Sequence, residues 1–135
     1  MYRHLIDFET NVFNICLEYD ISIPEDIRRM LLNQYMNSTH SIEITGNGFY
    51  DNIRISKECE KIPYDTLRFG CMHIEFENPD DALGMVVFVS GGYISLIEFY
   101  TYGERQEPWV GNITTYDIYA VNRQGELSWI KKIEA

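Results

Sequence analysis

Cys71 and His73 stand two residues apart in a run that alternates as a strand, and Glu75 follows two residues later. Side chains at i, i+2 and i+4 of a strand share one face, so the three read as a row of thiol, imidazole and carboxylate. Those are the groups of a cysteine nucleophile, its base and an orienting acid. The spacing argues against such chemistry. A catalytic Cys and His converge from separate elements, whereas neighbours along a strand stand side by side, about 7 Å apart. The row is expected to be a half-polar sheet face. A metal centre on Cys71 and His73 would need further ligands, and neither His4 nor His40 stands at a supporting spacing. The three cysteines, Cys16, Cys59 and Cys71, are widely separated and include no C-x-x-C pair. That argues against a disulfide framework or a zinc ribbon and fits a reducing compartment. Neither G-x-x-x-x-G-K-S/T nor G-x-G-x-x-G occurs, so no nucleotide site, cofactor or metal is expected. Carboxylate pairs for glycoside chemistry are set by distance in space, and 21 acids leave that reading open.

Glu98 is a more informative residue, because it interrupts the apolar run Ile94-Ser95-Leu96-Ile97-Glu98-Phe99-Tyr100. A carboxylate among such neighbours is costly unless it is hydrogen-bonded or faces water. It is expected on the solvent side of a sheet or beside Tyr hydroxyls, next to the segment Tyr100-Thr101-Tyr102-Gly103. Tyr100, Tyr102 and Trp109 are residue types that anchor interfaces when exposed. The acids around them are dense. Residues 73–107 carry Glu75, Glu77, Asp80, Asp81, Glu98, Glu104 and Glu107 against Arg105 alone, more than half of a net charge of −10. Such a balance disfavours phosphate backbones, so nucleic acid is not expected as a partner. It suits either a solvated surface or one that steers a basic partner into contact.

The elements that must position these residues divide the chain in two. Leu5, Phe8, Val12, Ile15 and Cys16 recur at helical spacing in a stretch without Gly or Pro, which predicts an amphipathic helix to Leu17. Ser22-Ile23-Pro24-Glu25 reads as an N-cap with a capping box opening a second helix, whose stripe is Ile27, Met30, Leu31, Gln34 and Tyr35. From residue 39 the pattern becomes β-rich. Residues 41–45 and 49–56 flank Gly46-Asn47-Gly48 as a hairpin, 57–65 is a loop, and 67–76 reads as one strand. Residues 84–89 are apolar throughout, which predicts a central strand covered on both faces. Gly91-Gly92 turns it into an antiparallel partner over 93–102; residues 103–111 form a loop, and 115–121 with 127–133 a last hairpin. The expected fold is one α+β domain over 1–135, two N-terminal helices on one face of a mostly antiparallel, curved sheet of six to seven strands. The N-terminus has no apolar signal core and no run reaches the length of a membrane span, so the protein is read as soluble, unexported and cytoplasmic, with no membrane partner.

The run from Gly92 to Glu104, followed by Glu107-Pro108-Trp109, resembles a segment of small acidic bacterial immunity proteins of polymorphic toxin and contact-dependent growth inhibition systems. Their pattern reads roughly L-E-G-Y-T-Y-G-E and then W-P. Gly46-Asn47-Gly48-Phe49-Tyr50 is similar to their G-x-G-F-F/Y hairpin, and the likeness covers about a third of the chain. Phe99 stands where that pattern has Gly, and Pro108-Trp109 reverses its order. The resemblance implies a non-enzymatic protein that binds and neutralises one cognate toxin domain, such as a basic nuclease. The expected contact set is Glu75, Glu77, Asp80, Asp81, Glu98, Tyr100, Tyr102, Glu104, Glu107 and Trp109. Two other readings stand beside it: an enzyme or small-ligand binder with a pocket between helices and sheet lined by Tyr residues and Glu98, and a regulatory interaction module unrelated to toxins. Homo-oligomerisation is left open, because exposed and buried Tyr and Trp look alike in sequence.

Overall fold

A computed structural model describes residues 2–20, 22–103 and 105–134. Helix α1 spans Arg3–Tyr19 and α2 spans Glu25–Met36. The strands are β1 (Ser38–Ile44), β2 (Gly48–Ile55), β3 (Thr66–Phe69), β4 (Met72–Phe76), β5 (Leu83–Ser90), β6 (Tyr93–Thr101), β7 (Tyr116–Val121) and β8 (Leu127–Ile133). They form one antiparallel sheet in the order β1-β2-β6-β5-β4-β7-β8, with β3 also paired to β5. Hairpins β1-β2, β5-β6 and β7-β8 fall where the turn signals put them. This is the expected α+β arrangement, with eight strand segments in place of six or seven.

The extra segment comes from a break in the predicted strand 67–76. Phe69 pairs with Val87 and Ile74 with Leu83, while Gly70 and Cys71 lie between the two ladders. Gly70 sits at φ +142°, and a Cβ there would fall 2.4 Å from the Met85 carbonyl oxygen, a place only glycine can occupy. The irregularity resets the alternation. Cys71 turns to the helix side against Cys16, whereas His73 and Glu75 face away, so the expected row of Cys71, His73 and Glu75 does not form.

Helices cover one sheet face. Leu5, Phe8, Val12, Phe13 and Cys16 of α1 and Ile27, Leu31 and Tyr35 of α2 are buried with Phe49, Ile53, Met72, Ile74, Met85, Val87, Ile97, Phe99 and Ile118. Phe8 packs within 4.9–6.4 Å, centroid to centroid, of Phe49, Phe76, Phe99 and Tyr116, and each such ring adds about 1.5–3 kcal/mol by leaving water. The helix–sheet interface is therefore filled where Phe8 lies. Gln34 is polar yet buried, and its side chain fixes α2 on the β5-β6 turn. Its Nε2 donates to the Gly92 and Glu60 carbonyls, and its Oε1 accepts from Ile94 N–H.

Two local expectations are corrected. The predicted capping box does not form; Pro24 is the N-cap of α2, and the Ser22 hydroxyl donates instead to the Asp20 carboxylate. Strand β5 is covered on one face only. Val86 and Phe88 are half-buried on the side away from the helices, where Arg68 lies over the Phe88 ring. No helix among the described residues is long and apolar enough to cross a membrane.

Candidate functional site

The sheet face that the helices leave uncovered carries a set of tyrosines and acids. Because antiparallel partners project to the same side, strand register alone places these groups in rows. One row runs Glu43, Tyr50, Glu98, Val86 across β1, β2, β6 and β5. The next runs Tyr100, Gly84, His73, Tyr119, Trp129 across β6, β5, β4, β7 and β8. Glu75 and Asp117 pair beside it.

Contacts hold these side chains in place. Tyr100 lies across Gly84, where even an added Cβ would come within 2.5 Å of the ring. Tyr102 packs edge-on to Tyr100, with centroids 5.6 Å apart, and its hydroxyl meets His73 Nδ1 at 3.0 Å. His73 Nε2 reaches Glu75 Oε1 at 3.1 Å, and Tyr119 lies edge-on to the imidazole. Trp129 donates its indole N–H to Asp117, 3.0 Å away. The hydroxyls of Tyr50, Tyr102 and Tyr119 stay protonated at neutral pH. Tyr50 is held above its ordinary value chiefly by the Glu98 charge, Tyr119 by partial burial and then by Glu75 and Asp117, and Tyr102 is pushed up to about 12 by burial and by Tyr100. The face thus offers neutral donors and aromatic edges among carboxylates.

Not every expected contact residue belongs to it. Glu75, Glu98, Tyr100 and Tyr102 do. Glu77, Asp80 and Glu107 are exposed at the rim, while Asp81 is engaged by Arg105 Nη2 at 2.8 Å. Arg105 also donates to the carbonyls of Asp80 and Glu107, clamping the loop after β6 onto the 3-10 turn at Pro79–Asp81. A groove of about 490 Å³ runs between them, lined by Asn78, Asp80, Tyr102, Arg105, Gln106 and Glu107. Glu104 lies outside the described residues. Trp109 is 3% exposed and stacks on Phe49 while its N–H bonds the Gly46 carbonyl, so it is a core residue and not a surface anchor. The exposed tryptophan is Trp129, at 59%. Glu98 points away from the helices, so it cannot line a pocket between helices and sheet.

Sequence reasoning passed over Tyr50, Asp117, Tyr119 and Trp129. Alternation in residues 116–121 places Asp117 and Tyr119 together opposite buried Tyr116 and Ile118, a signal that was available. Which edge of the sheet they join was not.

A second cluster lies on the helix side. Glu9 of α1 and Asp51 of β2 are fully buried, and His40 of β1 lies with its Nδ1 2.5 Å from Asp51 Oδ2 and 3.8 Å from Glu9 Oε1. Asp51 also accepts Ser41 N–H at 2.9 Å, and Tyr35 donates to Glu9 at 2.9 Å while meeting Thr10. The ligand-type atoms of Glu9, His40 and Asp51 lie within 4.8 Å of one another. The His40–Asp51 contact is too close to be spaced by an ion bound at about 2.0–2.2 Å to each, and reads as a hydrogen-bonded lock.

Burial, reinforced by the hydrogen bond and charge of Asp51 and opposed by Tyr35, holds the Glu9 carboxyl well above the usual carboxylate range. A group with a raised folded-state pKa contributes its stability below its unfolded value and loses it as pH climbs through the folded one. Stability is therefore expected to fall from mildly acidic to alkaline pH. Glu9→Gln keeps the acceptor for Tyr35 and replaces the acid proton by an amide N–H, so its stability curve should be flatter across that window. Parallel curves in urea denaturation at a series of pH values would contradict this.

No protein-family model, curated protein or solved structure significantly matches this chain, so the geometry of the uncovered face carries the functional argument.

Proposed function

We propose that this chain is a non-enzymatic binding protein that neutralises one cognate bacterial toxin domain by covering its active site with the uncovered sheet face. The observation that carries the reading is that face: Tyr50, Tyr100, Tyr119 and Trp129 project from paired strands, Tyr102 joins them from the residue just after β6, and Glu43, Glu75, Glu98 and Asp117 lie among them. Aromatic groups on a pre-organised surface supply contact area at little entropic cost, and carboxylates favour a basic partner. A nuclease domain fits, because a groove that attracts phosphate must be positive. Nucleic acid itself is disfavoured by the same charges.

The test uses the small basic domain that co-purifies with the chain from its native cell. Glu98→Lys with Glu75→Lys should slow association about tenfold or more at low salt, with the difference shrinking as salt is raised. Tyr100→Ala should weaken binding by about 2 kcal/mol, mainly through faster dissociation. Unchanged rates in both variants, or the absence of any basic co-purifying protein, would remove the reading.

A further inference from the structure

The break at Gly70 brings together three metal-ligating groups from two distant parts of the sequence. Cys16 and Asp20 stand one helical turn apart at the end of α1, joined by the Asp20 N–H to Cys16 carbonyl bond of 2.9 Å. Cys71 reaches them from the sheet, its own carbonyl held by Val121 N–H at 2.9 Å. The two sulfurs and a carboxylate oxygen all lie within 4.8 Å of one another.

A buried cysteine alone is ordinary core. Here Cys16 is 0% exposed and its neighbour Asp20 only 8%, and no ion pair to Asp20 occurs among the described residues. Ser22 N–H and Oγ donate to Oδ1, which orients the carboxylate but brings no positive charge. A carboxylate so enclosed beside two thiols lacks a cation.

We propose that Cys16, Asp20 and Cys71 form a zinc site. Zinc bonds of about 2.3 Å to sulfur and 2.0–2.2 Å to oxygen, at tetrahedral angles, require ligand atoms spaced within the limit found here. Two thiolates select zinc over magnesium or calcium. Both thiol protons leave on binding, and the resulting pair of thiolates with the carboxylate over-neutralises the dication by one charge. Cys71 is half-buried, so the fourth position opens to solvent and water completes it. The metal would tie the end of α1 to the centre of the sheet, independently of the partner-binding face.

The experiment titrates the reduced, metal-free full chain with Co²⁺ and then displaces it with Zn²⁺. One equivalent should give thiolate-to-cobalt charge-transfer absorption that zinc abolishes, and zinc should raise the unfolding temperature. Cys71→Ser and Asp20→Asn should each weaken binding at least about tenfold, with far-ultraviolet circular dichroism checking that they fold. Cys59→Ser should bind as the parent does. Asp20→Asn keeps both thiols and carries the test if Cys71→Ser does not fold. The proposal is overturned by no charge-transfer absorption at one equivalent, by absorption that survives in both ligand variants, by its loss in Cys59→Ser, or by isolation of the chain with a Cys16–Cys71 disulfide in place of bound metal.

Discussion

Replacing Asp51 with alanine is expected to cost the fold about 3 kcal/mol, because it strips the partners from two donors at a fully buried site at once. Asp51 is fully buried and serves both oxygens: Oδ2 meets His40 and Oδ1 accepts Ser41 N–H across the β1-β2 ladder. Alanine removes the acceptor of His40 Nδ1 and of the Ser41 N–H, and with it the carboxylate that helps hold the Glu9 pKa up. Asparagine should cost less, about 1–2 kcal/mol, because it still offers an acceptor to one of these donors. Urea denaturation reads both. A loss below about 1 kcal/mol for Asp51→Ala would mean that the cluster is a bystander of the packing. Because β1 is an edge strand and Glu9 belongs to α1, the alanine variant should also show faster amide exchange in β1 than in β5.

Gly70→Ala should be nearly as damaging, with an expected loss of about 3 kcal/mol. Two costs combine: a φ of +142°, which L-residues avoid, and a Cβ 2.4 Å from the backbone oxygen of Met85, which has no freedom to withdraw from β5. Gly125 provides the control. It also has positive φ, +80°, yet nothing lies within 4 Å of its added Cβ, so Gly125→Ala should lose only about 1 kcal/mol. Equal losses for the two would show that backbone strain alone matters. If Gly70→Ala folds at all, the passage from β3 to β4 must shift, and reactivity of the Cys71 thiol toward an alkylating reagent should change with it.

Helix and strand order was legible because each element writes its own period over a few residues. The α1 stripe of Leu5, Phe8, Val12 and Cys16 repeats on one face, and Glu98 alternates with Ile97 and Phe99, so period two already puts it opposite the core. Gly46-Asn47-Gly48 and Gly91-Gly92 located the first two hairpins. The capping box at Ser22 misled, since the same hydroxyl can bond forward into a helix or back to Asp20, and only the chain path decides. The expected row of Cys71, His73 and Glu75 failed for a similar reason: Leu67, Phe69 and Cys71 keep one parity toward the helices, Met72, Ile74 and Phe76 then take that side too, and alternation counted across the break places His73 and Glu75 on the wrong face.

The candidate face was half visible. Glu75, Glu98 and the pair Tyr100 and Tyr102 fall in the acid-rich stretch that composition picks out, whereas Glu43 and Asp117 lie outside it. Trp109 and Trp129 could not be told apart, because burial depends on what lies opposite. Trp109 is folded against Phe49 by a backbone bond to Gly46, and Trp129 sits on an outer strand beyond the helices' reach.

By itself, then, the sequence determined the element types, their order, the hairpins and the local excess of acid, all properties carried by continuous stretches of chain. Only the tertiary structure decided which face of the sheet is left open, that Glu9, His40 and Asp51 meet in the core, and that Cys16, Asp20 and Cys71 converge. Those meetings bring residues of α1 and its C-terminal end to partners 31 to 55 positions further along the chain, an approach set by strand pairing and helix packing that no local pattern encodes.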